Sequence, residues 1–351
     1  LRLCRIILKG DKEEWKIMAA VRWGILSSSS FAVAHIVPAL LQCEGIELAA
    51  ISSRNGDTAR ALAAKFGIPR AHGSYRELVE DTGIDVVYNP LPNHLHVPWS
   101  IKALEAGKHV LCEKPLAMNA GEAERLIAAR NQTGLKAQEA FVIRHHPQWR
   151  RVRALVREGR IGTLKGVQGW LSYRLEDPDN FRNKPEMGGG GLLDIGVYPM
   201  VTARYVFEDE PRRVFAAIRR DAATGADCLV SAILDFPAGQ AGFTCSTEFA
   251  VQQHMAFFGS HGRIELADPF AQAPDRQARI LIGGDRGIWD DAVEEYETFE
   301  PLNMYINQAE EFSAAVRGGK LEFPLEDGLA NMRVLDALLR SGKSGVWEKV
   351  G

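Results

Sequence analysis

Apolar and polar positions in the first part of the chain change period in a repeating way. Residues 21–26 form a short, almost unbroken apolar run that predicts a buried strand. Residues 31–41 then place Val33, Ile36, Val37, Leu40 and Leu41 at helical spacing. A second strand is predicted at 46–51 and a second helix at 55–66, with Asn55, Gly56 and Asp57 as capping candidates. A short helix at 74–81 and a third strand at 84–88 follow. The next helix, 96–106, is stopped by Gly107. A fourth strand at 109–112, a helix at 121–130 and a strand at 136–141 complete the series. Strands alternating with helices predict a parallel α/β sheet with right-handed crossovers.

Beyond residue 142 the rhythm changes. One helix, 149–158, precedes segments of period two at 163–174, 213–220, 227–236, 240–249, 253–259 and 278–283, a pattern of antiparallel strands. Helical spacing returns at 305–317 and 327–341. The 351 residues suit two domains at roughly 150 residues each. We expect an extension at 1–17, a Rossmann-type nucleotide-binding α/β domain at 18–142, and an α+β domain at 143–351. The latter would carry a large, mostly antiparallel sheet, and its last helices could pack back on the first domain.

Composition narrows the partners. Lys and Arg total 42 against 45 Asp and Glu, so no excess of positive charge invites nucleic acid or an anionic membrane. Cys4, Cys43, Cys112, Cys228 and Cys245 are odd in number and scattered, which suits buried thiols in a reducing, cytoplasmic compartment. The uncharged stretch from Trp23 to Cys43 is long enough to span a bilayer. Its four serines, His35, Pro38 and Gln42 make strand, turn and helix the better reading. Residues 1–17 are charged and unpatterned, without the apolar core of a secretory signal, and we expect the start near Met18.

Candidate chemistry lies at the predicted strand ends. Of the glycine fingerprint that brings a first βα turn against a pyrophosphate, only Gly24 is present. Ser27, Ser28 and Ser30, followed by Phe31, offer small residues and hydroxyl donors instead. The second strand ends in Ser53 and Arg54 with no acid to take ribose hydroxyls, so a 2′-phosphate, and NADP rather than NAD, is expected. Glu113 and Lys114 follow the fourth strand at the edge where open α/β sheets bind ligands. Four glycines, 188–191, would let the chain run flat beside a ligand. If Leu192 opens a helix, Asp194 and Tyr198 share one face, a carboxylate and a phenol suited to proton transfer. Arg144, His145 and His146 are read as lining the substrate cleft, holding cofactor phosphate, or forming a charged interdomain surface. His94 and His96 lack the acidic or thiol neighbours of a zinc site, so no metal is expected.

These motifs together resemble the Gfo/Idh/MocA oxidoreductase family, in the branch of NADP-dependent D-xylose 1-dehydrogenases and dimeric dihydrodiol dehydrogenases. The likeness rests on residues 22–26, 89–96, 106–115, 139–147, 188–198 and 331–339, and runs from about residue 20 to the end. It implies that Lys114 sits near the nicotinamide and the reacting hydroxyl, with Asp194 and Tyr198 as its catalytic partners. Pro90, Leu91, Asn93 and His96 would line the cofactor site. It also implies a homodimer or tetramer paired through one face of the second sheet. Tyr198 would act as general base in oxidation and acid in reduction, with the Lys114 ammonium lowering its pKa. Asp194 would orient the substrate hydroxyl or the lysine. Phe141, Trp170, Tyr173 and Phe181 are candidates for the substrate cleft, along with Arg144. The expected substrate is a sugar or polyol, with D-xylose-type aldose oxidation first. The alternatives are a dihydrodiol, an anhydro- or deoxy-sugar ketone, or an NADP-sensing regulator that does no chemistry. A regulator could have lost Lys114, Asp194 or Tyr198, and all three are present.

Overall fold

The computed structural model describes residues 19–284 and 295–351, so the expected extension at 1–17 lies outside the described residues. The first sheet contains β1 (Val21–Leu26), β2 (Ile46–Ser52), β3 (Arg70–His72), β4 (Val86–Asn89), β5 (His109–Glu113) and β6 (Ala137–Ala140). Their spatial order is β3-β2-β1-β4-β5-β6, with every neighbouring pair parallel. This is the doubly wound order whose reversal between β1 and β4 opens a crevice at the carboxyl ends of the strands.

The helices between these strands are α1 (Val37–Gln42), α2 (Gly56–Phe66), α3 (Tyr75–Glu80), α4 (His96–Glu105) and α5 (Ala120–Thr133). Local chemistry sets their ends. The Asn55 side chain accepts the N–H groups of Asp57 and Thr58, and Ser74 and Asn119 cap α3 and α5 in the same way. The uncharged stretch after Trp23 resolves into β1, a turn, a wide-pitched turn at Ala32–Ile36 and α1. No helix among the described residues is long and apolar enough to cross a membrane.

After α6 (Pro147–Arg157) come β7 (Leu164–Arg174), α7 (Val197–Phe207), β8 (Arg213–Arg220), β9 (Asp227–Asp235), β10 (Gln240–Ser246), β11 (Glu248–Gly259), β12 (Gly262–Leu266), β13 (Ala278–Gly284) and β14 (Glu295–Phe299). Then follow α8 (Met304–Val316), α9 (Leu325–Ser344) and β15 (Glu348–Lys349). The second sheet runs β14-β13-β12-β11-β7-β10-β9-β8-β15 and is antiparallel except where β10 lies parallel to β7. One face is buried against α6 and α7. The other exposes Trp170, Ile233 and Phe258, with Phe249 stacked on Trp170.

The last two long helices bind the halves together. On α8, Ser313 Oγ accepts from Trp23 Nε1 of β1 at 3.1 Å, and Phe312 meets the same indole edge-on. On α9, Asn331 reaches Glu139 of β6. Buried polar pairs of this kind fix the register of an interface that apolar packing alone leaves loose.

Candidate active site

At the carboxyl edge of the first sheet, β5 ends in Glu113 and hands the chain to Lys114. The Lys114 ammonium donates to the Asp194 carbonyl oxygen at 2.5 Å and lies 3.5 Å from Asp194 Oδ1. Asp194 sits in the wide-pitched turn Leu192–Gly196 that leads into α7. The Asp227 carboxylate accepts the Leu192 N–H at 2.6 Å and fixes the start of that turn. Tyr173 of β7 donates to Asp194 Oδ2 at 2.6 Å, and Arg182 Nε stands 3.0 Å from Oδ1. One carboxylate thus gathers a lysine, an arginine and a phenol.

Burial alone would push the Asp194 carboxyl up. The charges of Lys114 and Arg182, with hydrogen bonds from Tyr173 and Arg182, outweigh it and bring the pKa down to about 2. Asp194 is therefore a fixed anion that holds its donors in place. Tyr198, one turn further on, lies beneath the Lys114 ammonium, 4.9 Å from its ring centroid, and against the Phe141 ring at 5.2 Å. Burial, then the Glu113 and Asp194 carboxylates, hold the Tyr198 phenol well above the ordinary tyrosine range, and Arg182 opposes them only in part. Lys114 bonds Asp194 rather than the phenol, and the phenol is raised on balance, against the expected lowering. Glu113 itself is pushed up by burial, against a hydrogen bond from Tyr88 and the charge of Lys114.

The loop after β4 supports this cluster. Both ring nitrogens of buried His96 lie 2.7 Å from carbonyl oxygens, those of Pro115 and Leu91. Asn93 Nδ2 donates to the Gly188 carbonyl at 2.7 Å, tying the loop to the glycine run. Pro90 and Leu91 are buried between these anchors. The glycines allow close packing against protein. A Cβ on Gly190, where φ is +119°, would fall 2.1 Å from Asp227 Oδ1, and one on Gly188 2.6 Å from Asn93.

At the first βα turn, Ser27 adopts φ +113°, the left-handed conformation glycine usually takes. Its hydroxyl accepts the Ser29 N–H at 2.9 Å, and Ser28 Oγ lies 3.1 Å from Ser53 Oγ. The turn and the end of β2 are thereby brought together, with exposed Ser30 and half-buried Phe31 beside them and exposed Arg54 reaching toward Tyr75. Hydroxyl and guanidinium donors where β2 carries no carboxylate fit a phosphorylated dinucleotide. Gly24 is placed elsewhere, within β1, where a Cβ would meet Ile84 at 2.7 Å.

Two further residues stand apart from the cluster. Arg144 is buried, paired with Asp327 and sandwiched between the Phe141 and Phe323 rings, so its charge is committed away from Lys114. Trp170 lies on the outer face of the second sheet, while Tyr173 points inward to Asp194 and Phe181 lies under the Arg182 guanidinium. Arg182 is the residue that sequence reasoning missed. It lies in a single short helical turn, Phe181–Asn183, twelve positions before Asp194, and no periodicity marks it.

A doubly wound sheet with lysine, carboxylate and phenol converging at its carboxyl edge defines a dinucleotide-linked oxidoreductase. The family model described as an oxidoreductase family with an NAD-binding Rossmann fold matches residues 21–141, and the GFO/IDH/MocA C-terminal domain matches 149–265. The chain belongs to the Gfo/Idh/MocA oxidoreductase family. An uncharacterized oxidoreductase of Rhizobium meliloti is 46% identical over 95% of this chain and 100% of its own length. The NADP(+) D-xylose 1-dehydrogenase of Haloferax volcanii is 34% identical over 92% of this chain and 98% of its own. Among solved structures, KijD10, a 3-ketoreductase from Actinomadura kijaniata in complex with NADP and TDP-benzene, superposes with a TM-score of 0.85. It is 31% identical, covering 92% of this chain and 98% of that one.

Proposed function

We propose that this protein is an NADP-linked dehydrogenase of sugars or polyols, with oxidation of an aldose such as D-xylose at C1 as the first reading. The observation that carries it is the convergence of Lys114, Asp194, Tyr173, Arg182 and Tyr198 at the end of β5. The NADP-linked xylose dehydrogenase among its relatives supports both the coenzyme and the substrate class. Ser27, Ser28, Ser30 and Ser53 would hold the coenzyme's phosphates, with Arg54 on the 2′-phosphate. When bound, the nicotinamide supplies or accepts a hydride. Everything else is done by the chain. Lys114 donates to the reacting oxygen, Asp194 and Arg182 fix Lys114 and the substrate's neighbouring hydroxyl, and Tyr198 exchanges the hydroxyl proton through its phenolic oxygen.

The raised pKa of Tyr198 favours a second reading, reduction of a sugar ketone or aldehyde. A phenol that keeps its proton is ready to donate it to a developing alkoxide. Oxidation first requires that proton to leave. Absorbance at 340 nm tests both readings: NADP+ and NAD+ crossed with D-xylose, D-glucose, L-arabinose and D-galactose, and NADPH with keto- and anhydro-sugars. Turnover with NADP+ and an aldose, weak with NAD+, supports the first reading. Turnover only with NADPH and a ketone supports the second. Silence with NADPH binding intact would leave a coenzyme-sensing regulator.

A further inference from the structure

Residues 331–339 have no part in the site described so far, yet Asn331 is completely buried and polar. Its Nδ2 donates to Glu139 Oε2 at 2.8 Å. Its carbonyl oxygen accepts from Arg204 Nη1, and Arg204 is held in turn by Glu210 at 2.5 Å and by Asp327 at 3.5 Å. The other oxygen of Glu139, Oε1, accepts the backbone N–H of Leu116 at 2.8 Å. Leu116 lies two residues beyond Lys114, and the carbonyl of the intervening Pro115 faces the His96 ring. Arg204 and Tyr198 share α7. A continuous buried chain, Arg204–Asn331–Glu139–Leu116, therefore links the helix that carries Tyr198 to the loop that carries Lys114.

We infer that Glu139, oriented by Asn331, is the positioning residue that fixes the Lys114 loop against α7. The inference rests on the reading of Lys114 as part of the reacting site. Its chemistry is restrictive. Arg204 can only donate, so the Asn331 carbonyl must face it and the Asn331 amide must face Glu139. Glu139 then has to accept at both oxygens, which a carboxylate does and a carboxamide cannot. Glu139→Gln leaves an amide donor facing the Asn331 donor. Asn331→Asp leaves two carboxylates facing each other. The double variant Glu139→Gln/Asn331→Asp reverses that one hydrogen bond and restores the rest. The carboxamide oxygen introduced at position 139 still accepts from Leu116, and the carboxylate introduced at position 331 still accepts from Arg204.

The test is hydrogen exchange of the Leu116 amide by mass spectrometry or NMR, on the four proteins without substrate. It is paired with kcat and coenzyme Kd once a substrate is in hand. Both single variants should exchange Leu116 at least ~10-fold faster, the cost of breaking one buried hydrogen bond. They should lose ~10- to 100-fold in kcat, with coenzyme Kd within about threefold. The double variant should recover most of both. Wild-type exchange in the folded single variants, or a double variant no better than either single, would overturn the inference. If Glu139→Gln fails to fold, Asn331→Ala breaks the same hydrogen bond by removing its donor and carries the same expectation. The exchange arm needs no reaction, so a protein inactive on every sugar would refute the proposed function while leaving this inference to stand or fall on Leu116.

Discussion

Replacing Asp194 with asparagine keeps the shape of the side chain and removes the one charge that gathers Lys114 and Arg182. In the native site the carboxyl pKa falls from 3.8 to about 2, which corresponds to roughly 2 kcal/mol of stability at neutral pH. With the asparagine carbonyl turned to Arg182, the Tyr173 hydroxyl can rotate and accept, so the loss falls on the two cations. Breaking a buried pair by removing one partner costs about 3–5 kcal/mol. Lys114 has only 13% of its side chain exposed, whereas Arg182 keeps 31% and remains partly hydrated, so the lower end applies. About 3 kcal/mol lowers the melting temperature of a protein this size by roughly 4 °C. The pH dependence has a definite sign. A carboxyl depressed in the fold stabilises fully above its unfolded pKa near 4, and that stability is lost as pH falls toward 2. Thermal unfolding followed by circular dichroism at pH 7, and acid titration of both proteins, measure the two effects. Asp194→Asn should melt lower at pH 7, and its deficit should shrink between pH 4 and 2. A variant that melts with the wild type at pH 7 would refute the ion-pair reasoning.

Other outcomes follow from the same geometry. Tyr198→Phe should lose ~10²-fold or more in turnover, measured at 340 nm with coenzyme binding unchanged. In the reductive direction the wild-type rate should show no alkaline fall from Tyr198 below about pH 10, because a raised pKa keeps the phenol protonated there. Arg54→Ala should raise the KM for NADP+ by ~10- to 100-fold and leave that for NAD+ nearly unchanged, as expected when a charged hydrogen bond to a 2′-phosphate is lost. Gly190→Ala should destabilise by about 1–3 kcal/mol in denaturant unfolding, since a Cβ there collides with Asp227 at a positive φ.

Much of this architecture was readable from periodicity because each long element buries a continuous face. The six-residue apolar run of β1 and the period-two segment that became β7 are examples. Elements without such a face escaped. β3 has three half-buried residues and no apolar alternation, and the charged segment that forms β14 resembles a solvated loop. The expected strand 240–249 breaks at Thr247, where the backbone N–H turns to Cys228 and the carbonyl to Leu175. At the site, Lys114, Asp194 and Tyr198 were visible because motif spacing places them at strand and helix ends. Arg182 was not, since only the folded loop brings it to Asp194. The direction of the Tyr198 pKa depends on its burial and then on where Glu113 points, and spacing along the chain carries no such information.

Isotopic labelling follows the proposed transfer of hydride from a sugar carbon to NADP+. D-xylose carrying deuterium at C1 would be incubated with NADP+ and the enzyme, and the coenzyme product examined by mass spectrometry and NMR. Deuterium at the nicotinamide C4 is the predicted result. NADP+ that binds normally and is recovered unreduced and unlabelled, with no sugar in the panel donating its C1 hydrogen, would contradict it.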